Sequence, residues 1–168
     1  MYAVMAGLVP AIADYAMPLR PVGARASGAG LTAFEGGTVN KAFVRGARAQ
    51  TRAYSQAVVT TGAARTIWVA GHTGAVDDSG KSLAGDFDAQ CRQTFRNIEK
   101  TLAEAGAKLS DIVTMTVFLI DARLTTRMTE LRSEIFGKDF PASAAITVAG
   151  FAQPEMMIEI QCVAVIAA

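Results

Sequence analysis

The sequence predicts an α+β domain whose elements run in the order ββαβαββ, because β-branched runs alternate with two stretches of helical apolar periodicity. The 168 residues are enough to bury one sizeable core, and a second independent domain would be cramped. Apolar residues make up 51% of the chain and charged residues only 18%. This apolar share is more than a monomer of this size needs to bury, so we expect an oligomer.

The first two strands are expected at residues 57–61 and 65–71, where Val, Ile and Thr predominate. One glycine and two alanines separate them, which is typical of a hairpin turn. Residues 111–120 are β-branched and apolar on both faces, as in a strand that is covered on two sides. Two last strands are expected at residues 142–149 and 156–166.

Two helices are expected between these strands. Asp86 can cap the first helix, which ends before Gly106. Its apolar stripe consists of Phe87, Cys91, Phe95, Ile98 and Leu102. Thr125 or Thr126 can cap the second helix, and Gly137 is expected to end it. Its core-facing side chains are Met128, Leu131 and Ile135.

Residues 1–45 are expected to form an irregular N-terminal extension, with residues 46–168 as the folded domain. The extension holds three of the five prolines and six of the fifteen glycines, and it has no sustained period. It is interpreted as a docking tail that uses its arginines, as a loosely packed extension, or as non-native sequence from an upstream start codon.

The net charge, the cysteine content and the apolar runs of the sequence argue against nucleic-acid, zinc-binding and membrane functions. Sixteen basic against fifteen acidic residues leave a formal net charge of +1, which creates no field to gather nucleic acid or anionic lipid. Two cysteines and one histidine cannot complete a usual zinc site. The sequence contains no run of about 18 uninterrupted apolar residues, so a membrane span is not expected. We therefore expect a cytoplasmic protein with neither a nucleic-acid nor a membrane partner.

Glu159 is the most informative single residue. Strand alternation over residues 156–165 sends Ile158 and Ile160 to one face and Glu159 to the other. A carboxylate in so apolar a stretch must find partners or take up a proton. It is either a general acid/base or water-orienting group, or an interface carboxylate that is satisfied by hydrogen bonds.

Other candidate residues lie near the strand ends. His72 follows the strand at 65–71, where an imidazole could bind substrate or move a proton, but a lone histidine is also commonly a structural hydrogen-bonding group. Tyr54 is either a pocket wall with a polar tip or a residue of the core edge. Cys91 and Cys162 fall on apolar faces and are expected to be inert packing.

Six segments occur in the order found in one known family: Tyr54-Ser-Gln-Ala57, Ile67-Trp-Val-Ala-Gly71, residues 93–102, residues 111–118, Phe140-Pro-Ala142 and Ile158-Glu-Ile160. Over about residues 48–167 the chain resembles the Rid (reactive intermediate deaminase, YjgF-like) family. The resemblance implies a chorismate-mutase-like sheet with two helices on one face. It also implies that three such sheets pack into a barrel-shaped homotrimer, with ligand pockets between the subunits.

The resemblance implies hydrolysis of enamines and imines, such as 2-aminoacrylate, to 2-oxo acids and ammonia. No cofactor or metal is expected, because the imine carbon is already electrophilic. Glu159 matches the glutamate that positions the attacking water, and so is the expected catalytic residue. The pocket is expected to draw on Tyr54, on Gly71 and His72, and on the strand that carries residues 143–145.

The chain departs from the family motif at one informative point. Where the family reads Pro-Ala-Arg-Ser, this chain reads Pro141-Ala-Ser-Ala144, so Ser143 stands in place of the arginine that clamps the substrate carboxylate. Ala145 replaces a frequent cysteine, although its backbone N–H could still bind an oxygen. Arg123 is the one nearby cation that could substitute, unless it is simply a solvated loop arginine.

We therefore expect a cofactor-free deaminase or related hydrolase that acts on an enamine, imine or amide metabolite. The alternative is a non-catalytic small-molecule-binding or chaperone-like protein, which the missing arginine favours. Ribonuclease activity fits poorly, because residues 54–168 carry a net charge of −3 and show no basic, aromatic-rich groove.

Overall fold

The structure, a computed structural model, describes residues 38–46, 49 and 51–168. Most of the expected N-terminal extension, residues 1–37, lies outside the described residues. Its last part is regular, because Asn40–Val44 forms strand β1. This strand pairs along its whole length with the next one in antiparallel register. Among the described residues, regular structure is therefore already present a few residues before the expected domain boundary.

The elements after β1 follow the predicted order ββαβαββ: β2 (Ala57–Thr61), β3 (Ala64–Thr73), α1 (Phe87–Glu104), β4 (Ile112–Leu119), α2 (Thr125–Phe136), β5 (Ala142–Thr147) and β6 (Ile158–Ala167). Four strands form one sheet in the spatial order β3-β6-β4-β5. β6 is antiparallel to both of its neighbours, whereas β4 and β5 are parallel and are joined through α2.

The prediction that β2 and β3 form a hairpin is wrong. β2 pairs with β1 in a separate two-stranded sheet, and β3 pairs with β6. Gly62, between β2 and β3, has a φ of 100°, and a Cβ there would lie 2.5 Å from the backbone oxygen of Thr38. The chain that leads into β1 thus lies against this turn. β2 and β3 therefore each pair with a strand more distant in sequence, instead of with each other.

The helix boundaries are largely as predicted. The Asp86 carboxylate accepts the backbone N–H of Ala89 at 2.9 Å and caps α1. The expected threonine cap of α2 is wrong: Leu124 holds that position without a side-chain bond. A 3-10 turn, Ala122–Leu124, leads directly into α2. The Asp121 side chain caps that turn by accepting the backbone N–H of Arg123. Gly137 ends α2 with a φ of 67°, which glycine adopts without strain.

Both helices cover one face of the four-stranded sheet. Alternate residues of β6 and β4 are buried beneath them, and these form the core with the stripes of α1 and α2: Ile158, Ile160, Cys162, Ala164, Met115, Val117 and Leu119. The other side of the sheet, here called the open face, carries Trp68, Thr114, Thr116, Phe118, Glu159, Gln161 and Val163. Trp68 is 80% exposed there.

A buried glutamine fixes the loop that leads into β6. The Gln90 side chain on α1 donates to the backbone oxygens of Leu83 and Glu155, at 3.0 and 2.9 Å. Its oxygen accepts the backbone N–H of Met157 at 2.9 Å. Gln90 is fully buried, and it is the partner of the Glu155 carbonyl and the Met157 N–H, whereas the Leu83 carbonyl also accepts the backbone N–H of Asp86 at 3.1 Å. The start of β6 is thereby tied to α1.

Replacing Gln90 tests this tie. Gln90→Ala leaves the Glu155 carbonyl and the Met157 N–H without their partner, so we expect the free energy of unfolding to fall by about 2–4 kcal/mol. Urea denaturation at a fixed protein concentration measures it. Glu99→Ala, on the exposed side of the same helix, is the control and should change the value by less than about 0.5 kcal/mol. Equal effects of the two substitutions would contradict the assignment.

Candidate functional site

Glu159 lies on the open face of the sheet, as strand alternation predicted. It pairs with Thr73 on β3 and with Phe118 on β4. Its neighbours along β6, Ile158 and Ile160, are both fully buried on the opposite side. The carboxylate is half-buried in a shallow cleft of about 330 Å³. The cleft is lined by Phe118, Val148, Gly150, Phe151, Ala152 and Glu159.

Gly71 leaves the space that the Glu159 side chain occupies. The register of β3 against β6 shifts between Val69 and His72, so Gly71 lies in a bulge beside Glu159. A Cβ on Gly71 would lie 1.9 Å from Glu159 Oε1 and 2.8 Å from its Cδ. The carboxylate therefore packs directly over the Gly71 backbone, and any larger residue would displace it.

His72 lies on the other face of the sheet from Glu159. It pairs with Ile160, a core residue, and its Nε2 is 2.8 Å from the Thr101 hydroxyl on α1. Its Nδ1 is 2.9 Å from the Ala70 carbonyl oxygen. Because a carbonyl only accepts, a neutral ring carries its proton on Nδ1 and accepts from Thr101 through Nε2. Both nitrogens are thus engaged, Nδ1 within β3 and Nε2 between β3 and α1, which fits the structural interpretation of this histidine.

A second cavity brings together three of the residues expected to bind substrate. Tyr54, Ser143 and Ala145 line a space of about 270 Å³ between α2 and the edge strand β5. Ser143 pairs with Met115 and Ala145 with Val117, and both partners are core residues. The two β5 side chains therefore lie on the helix-covered side of the sheet. Within one chain, Glu159 and Ser143 lie on opposite faces.

Arg132 also lines this cavity, although it was not among the site residues expected from the sequence. It lies on α2, is only 5% exposed, and donates from Nη1 to Ser143 Oγ at 2.6 Å. Nη2 donates to the Arg52 backbone oxygen at 2.9 Å, whereas the buried Nε has no partner. Burial lowers the pKa of Arg132 to about 10, so it remains a cation at neutral pH.

A signal for Arg132 was present in the sequence. The α2 stripe places Met128, Leu131 and Ile135 on one side of the helix, and Arg132 stands four residues after Met128. That spacing puts the guanidinium on the buried side. A long cationic side chain on an apolar stripe indicates a cavity or a buried partner.

The other candidate groups are accounted for elsewhere. Arg123 is 90% exposed and pairs with Asp121 through its Nε at 2.8 Å, which fits a solvated loop arginine. Burial raises the pKa of the Cys91 thiol to about 12 and that of Cys162 to about 11, as expected of inert packing. Within the described ranges, no group of three His, Cys, Asp or Glu side chains could hold a metal ion.

Comparison with known proteins identifies the family. The family model described as Endoribonuclease L-PSP matches residues 45–166. A conserved Rid family protein of Yersinia pestis has a similar structure, with a TM-score of 0.64 and 26% identity; the match covers 74% of this chain and 98% of that one. The chain belongs to the Rid (YjgF) family. The expected α+β, chorismate-mutase-like fold is thereby confirmed.

Curated relatives are similar over most of their length. A RutC family protein of Pyrococcus abyssi is 35% identical over 111 residues, which cover 66% of this chain and 84% of the relative. A human 2-iminobutanoate/2-iminopropanoate deaminase is 33% identical over 112 residues, which cover 67% of this chain and 79% of the enzyme. No helix in the part of this Rid chain that the structure describes is long and apolar enough to cross a membrane.

Gly71 provides a structural test of the Glu159 site in this Rid protein. Gly71→Ala should keep the fold, because only the mobile end of one side chain obstructs the new methyl group, but it should move the carboxylate off the β3 backbone. Crystal structures of the variant and the wild type measure the displacement. Gly150→Ala is the control, because a Cβ there meets nothing within 4 Å. An unmoved Glu159 in Gly71→Ala would contradict the packing described above.

Proposed function

We propose that this protein is a cofactor-free deaminase that hydrolyses an enamine, imine or related amide metabolite. The observation that carries the proposal is the Glu159 carboxylate, held over the Gly71 backbone in a cleft of the open face. The names of several relatives support the same chemistry: human, bovine and goat members are 2-iminobutanoate/2-iminopropanoate deaminases.

The reaction needs little from the protein beyond a placed water and a proton carrier. Water adds to the carbon of the protonated C=N group, the π electron pair moves onto nitrogen, and Glu159 takes one proton of the water as the C–O bond forms. The amino group of the resulting neutral carbinolamine takes that proton back, and the C–N bond breaks with its electron pair on the leaving ammonia. Glu159 accepts the hydroxyl proton as the carbonyl forms and passes it to the ammonia, so the products are a carbonyl compound and ammonium. A carboxylate poised at a cleft is suited to both transfers, because it first acts as base and then as acid.

We propose that the site is completed between subunits of a homotrimer. Glu159 and the cavity at Ser143 lie on opposite faces of one sheet, so a pocket that contains both needs two chains. The open face supplies apolar area for such an association, including Trp68 and, on β5, Ile146. A ligand would then contact Glu159 of one subunit and the Tyr54 and Ser143 cavity of another.

The second candidate function is a non-catalytic binding protein, and Ser143 in place of the family's arginine favours it. In either case we propose a cytoplasmic protein with a small-molecule ligand. Both cysteines are buried free thiols, as in a reducing compartment. Nucleic acid is not part of the proposal, because residues 54–168 carry a net charge of −3.

Substitution of Glu159 tests the proposed reaction. With 2-iminopropanoate generated from alanine by an amino-acid oxidase, Glu159→Gln should lower catalysed ammonia release on the order of 100-fold, because the proton carrier is lost. Glu155→Gln, an exposed residue of the preceding loop, is the matched control and should act like the wild type.

Equal rates for Glu159→Gln and the wild type would remove Glu159 from the mechanism. If the wild type does not accelerate hydrolysis of any imine or enamine tested but binds the 2-oxo acid products, the protein is the non-catalytic binding module instead.

A further inference from the structure

We propose that Arg132 is an anion-binding residue, which holds a carboxylate of the ligand in the cavity between α2 and β5. This inference names a binding residue for the ligand and rests on the proposed function only for the identity of that ligand. The cavity of about 270 Å³ is near the lower end of the range for small-molecule sites, so a small carboxylic acid suits it.

The first argument is charge. Only 5% of the Arg132 surface is exposed to solvent. None of the ion pairs among the described residues includes it. A buried cation without a counterion is destabilising. A bound carboxylate would supply the missing negative charge.

The second argument is hydrogen-bonding capacity. A guanidinium has five N–H donors, and the structure assigns one from Nη1 to Ser143 and one from Nη2 to Arg52. Each terminal nitrogen therefore keeps a second N–H, and Nε–H has no acceptor. These two bonds also hold the planar group in one orientation at the cavity wall. Such a preorganised guanidinium is suited to two-pronged binding of a carboxylate.

The third argument explains the serine. An arginine at position 143 would bring a second cationic side chain into the cavity beside Arg132, because Arg132 Nη1 is only 2.6 Å from Ser143 Oγ. Two cations in one buried cavity repel each other. The small hydroxyl instead accepts from Arg132 and orients it. Ser143 and Arg132 therefore form a matched pair, in which the cation reaches the cavity from the helix rather than from the strand.

Binding of pyruvate, the hydrolysis product of 2-iminopropanoate, tests the inference. Calorimetry should show pyruvate binding weakened about tenfold or more in Arg132→Gln, because the charged two-pronged contact is lost. Arg123→Gln removes an exposed arginine and should leave the Kd unchanged. Pyruvamide, which lacks the negative charge, should bind the wild type and Arg132→Gln equally.

Thermal unfolding separates binding from folding. Without ligand, Arg132→Gln should unfold at the wild-type temperature or above, since it removes an uncompensated buried charge. Pyruvate should raise the Tm of the wild type but not that of the variant. If Arg132→Gln fails to fold, Arg132→Lys keeps the charge but loses the planar fork, and should still weaken pyruvate binding several-fold.

The double variant Ser143→Arg with Arg132→Gln adds a rescue test. It moves the cation from helix to strand and should restore pyruvate binding to within a few-fold of the wild type, whereas Ser143→Arg alone should not. Unchanged pyruvate binding in Arg132→Gln and Arg132→Lys would overturn the inference. Imine hydrolysis that depends on Glu159 but not on Arg132 would overturn it while leaving the deaminase proposal intact.

Discussion

The two-sidedness of a β-sheet is the constraint on which the account of this Rid protein depends. Successive residues of a strand point to opposite faces, so the packing of Ile158 and Ile160 beneath the helices commits Glu159 to the open face. The pairing of β5 with β4 commits Ser143 to the covered face in the same way. Glu159 cannot change face without moving Ile158 and Ile160 into solvent, and Ser143 cannot do so without losing the register of β5 on β4. The pairing and packing of the sheet therefore keep the two groups apart.

The arginine that binds a carboxylate in this cavity could stand at a different sequence position and still provide the same two-pronged contact. A guanidinium can reach the cavity between α2 and β5 from the strand or from the helix, but both at once would place two like charges in one buried cavity. In this chain Arg132 comes from the helix and Ser143 on the strand orients it. The burial that makes Arg132 costly in an unliganded protein would also strengthen its attraction for an anion.

Local patterns predicted the fold and one half of the candidate site. The face of Glu159 followed from alternation along β6, and the stripe of α1 followed from helical spacing, since both depend only on neighbours in sequence. The β2–β3 hairpin failed because β1 competes for β2. Arg132 was missed because the core-facing stripe of a helix is sought among apolar residues, and arginine is usually a surface residue. Only the packing of α2 shows that its guanidinium lies beside Ser143. How two chains associate is not encoded in any local pattern.

A subunit-mixing experiment tests the central claim most directly. Glu159→Gln destroys one half of the proposed site, and Ala145→Trp fills the cavity that forms the other half. If the site spans two chains, joint refolding of the two inactive variants should restore about one quarter of the wild-type imine hydrolysis, because that share of random interfaces combines two intact halves. Activity that stays at the sum of the separate variants, although the subunits have exchanged, would contradict the account.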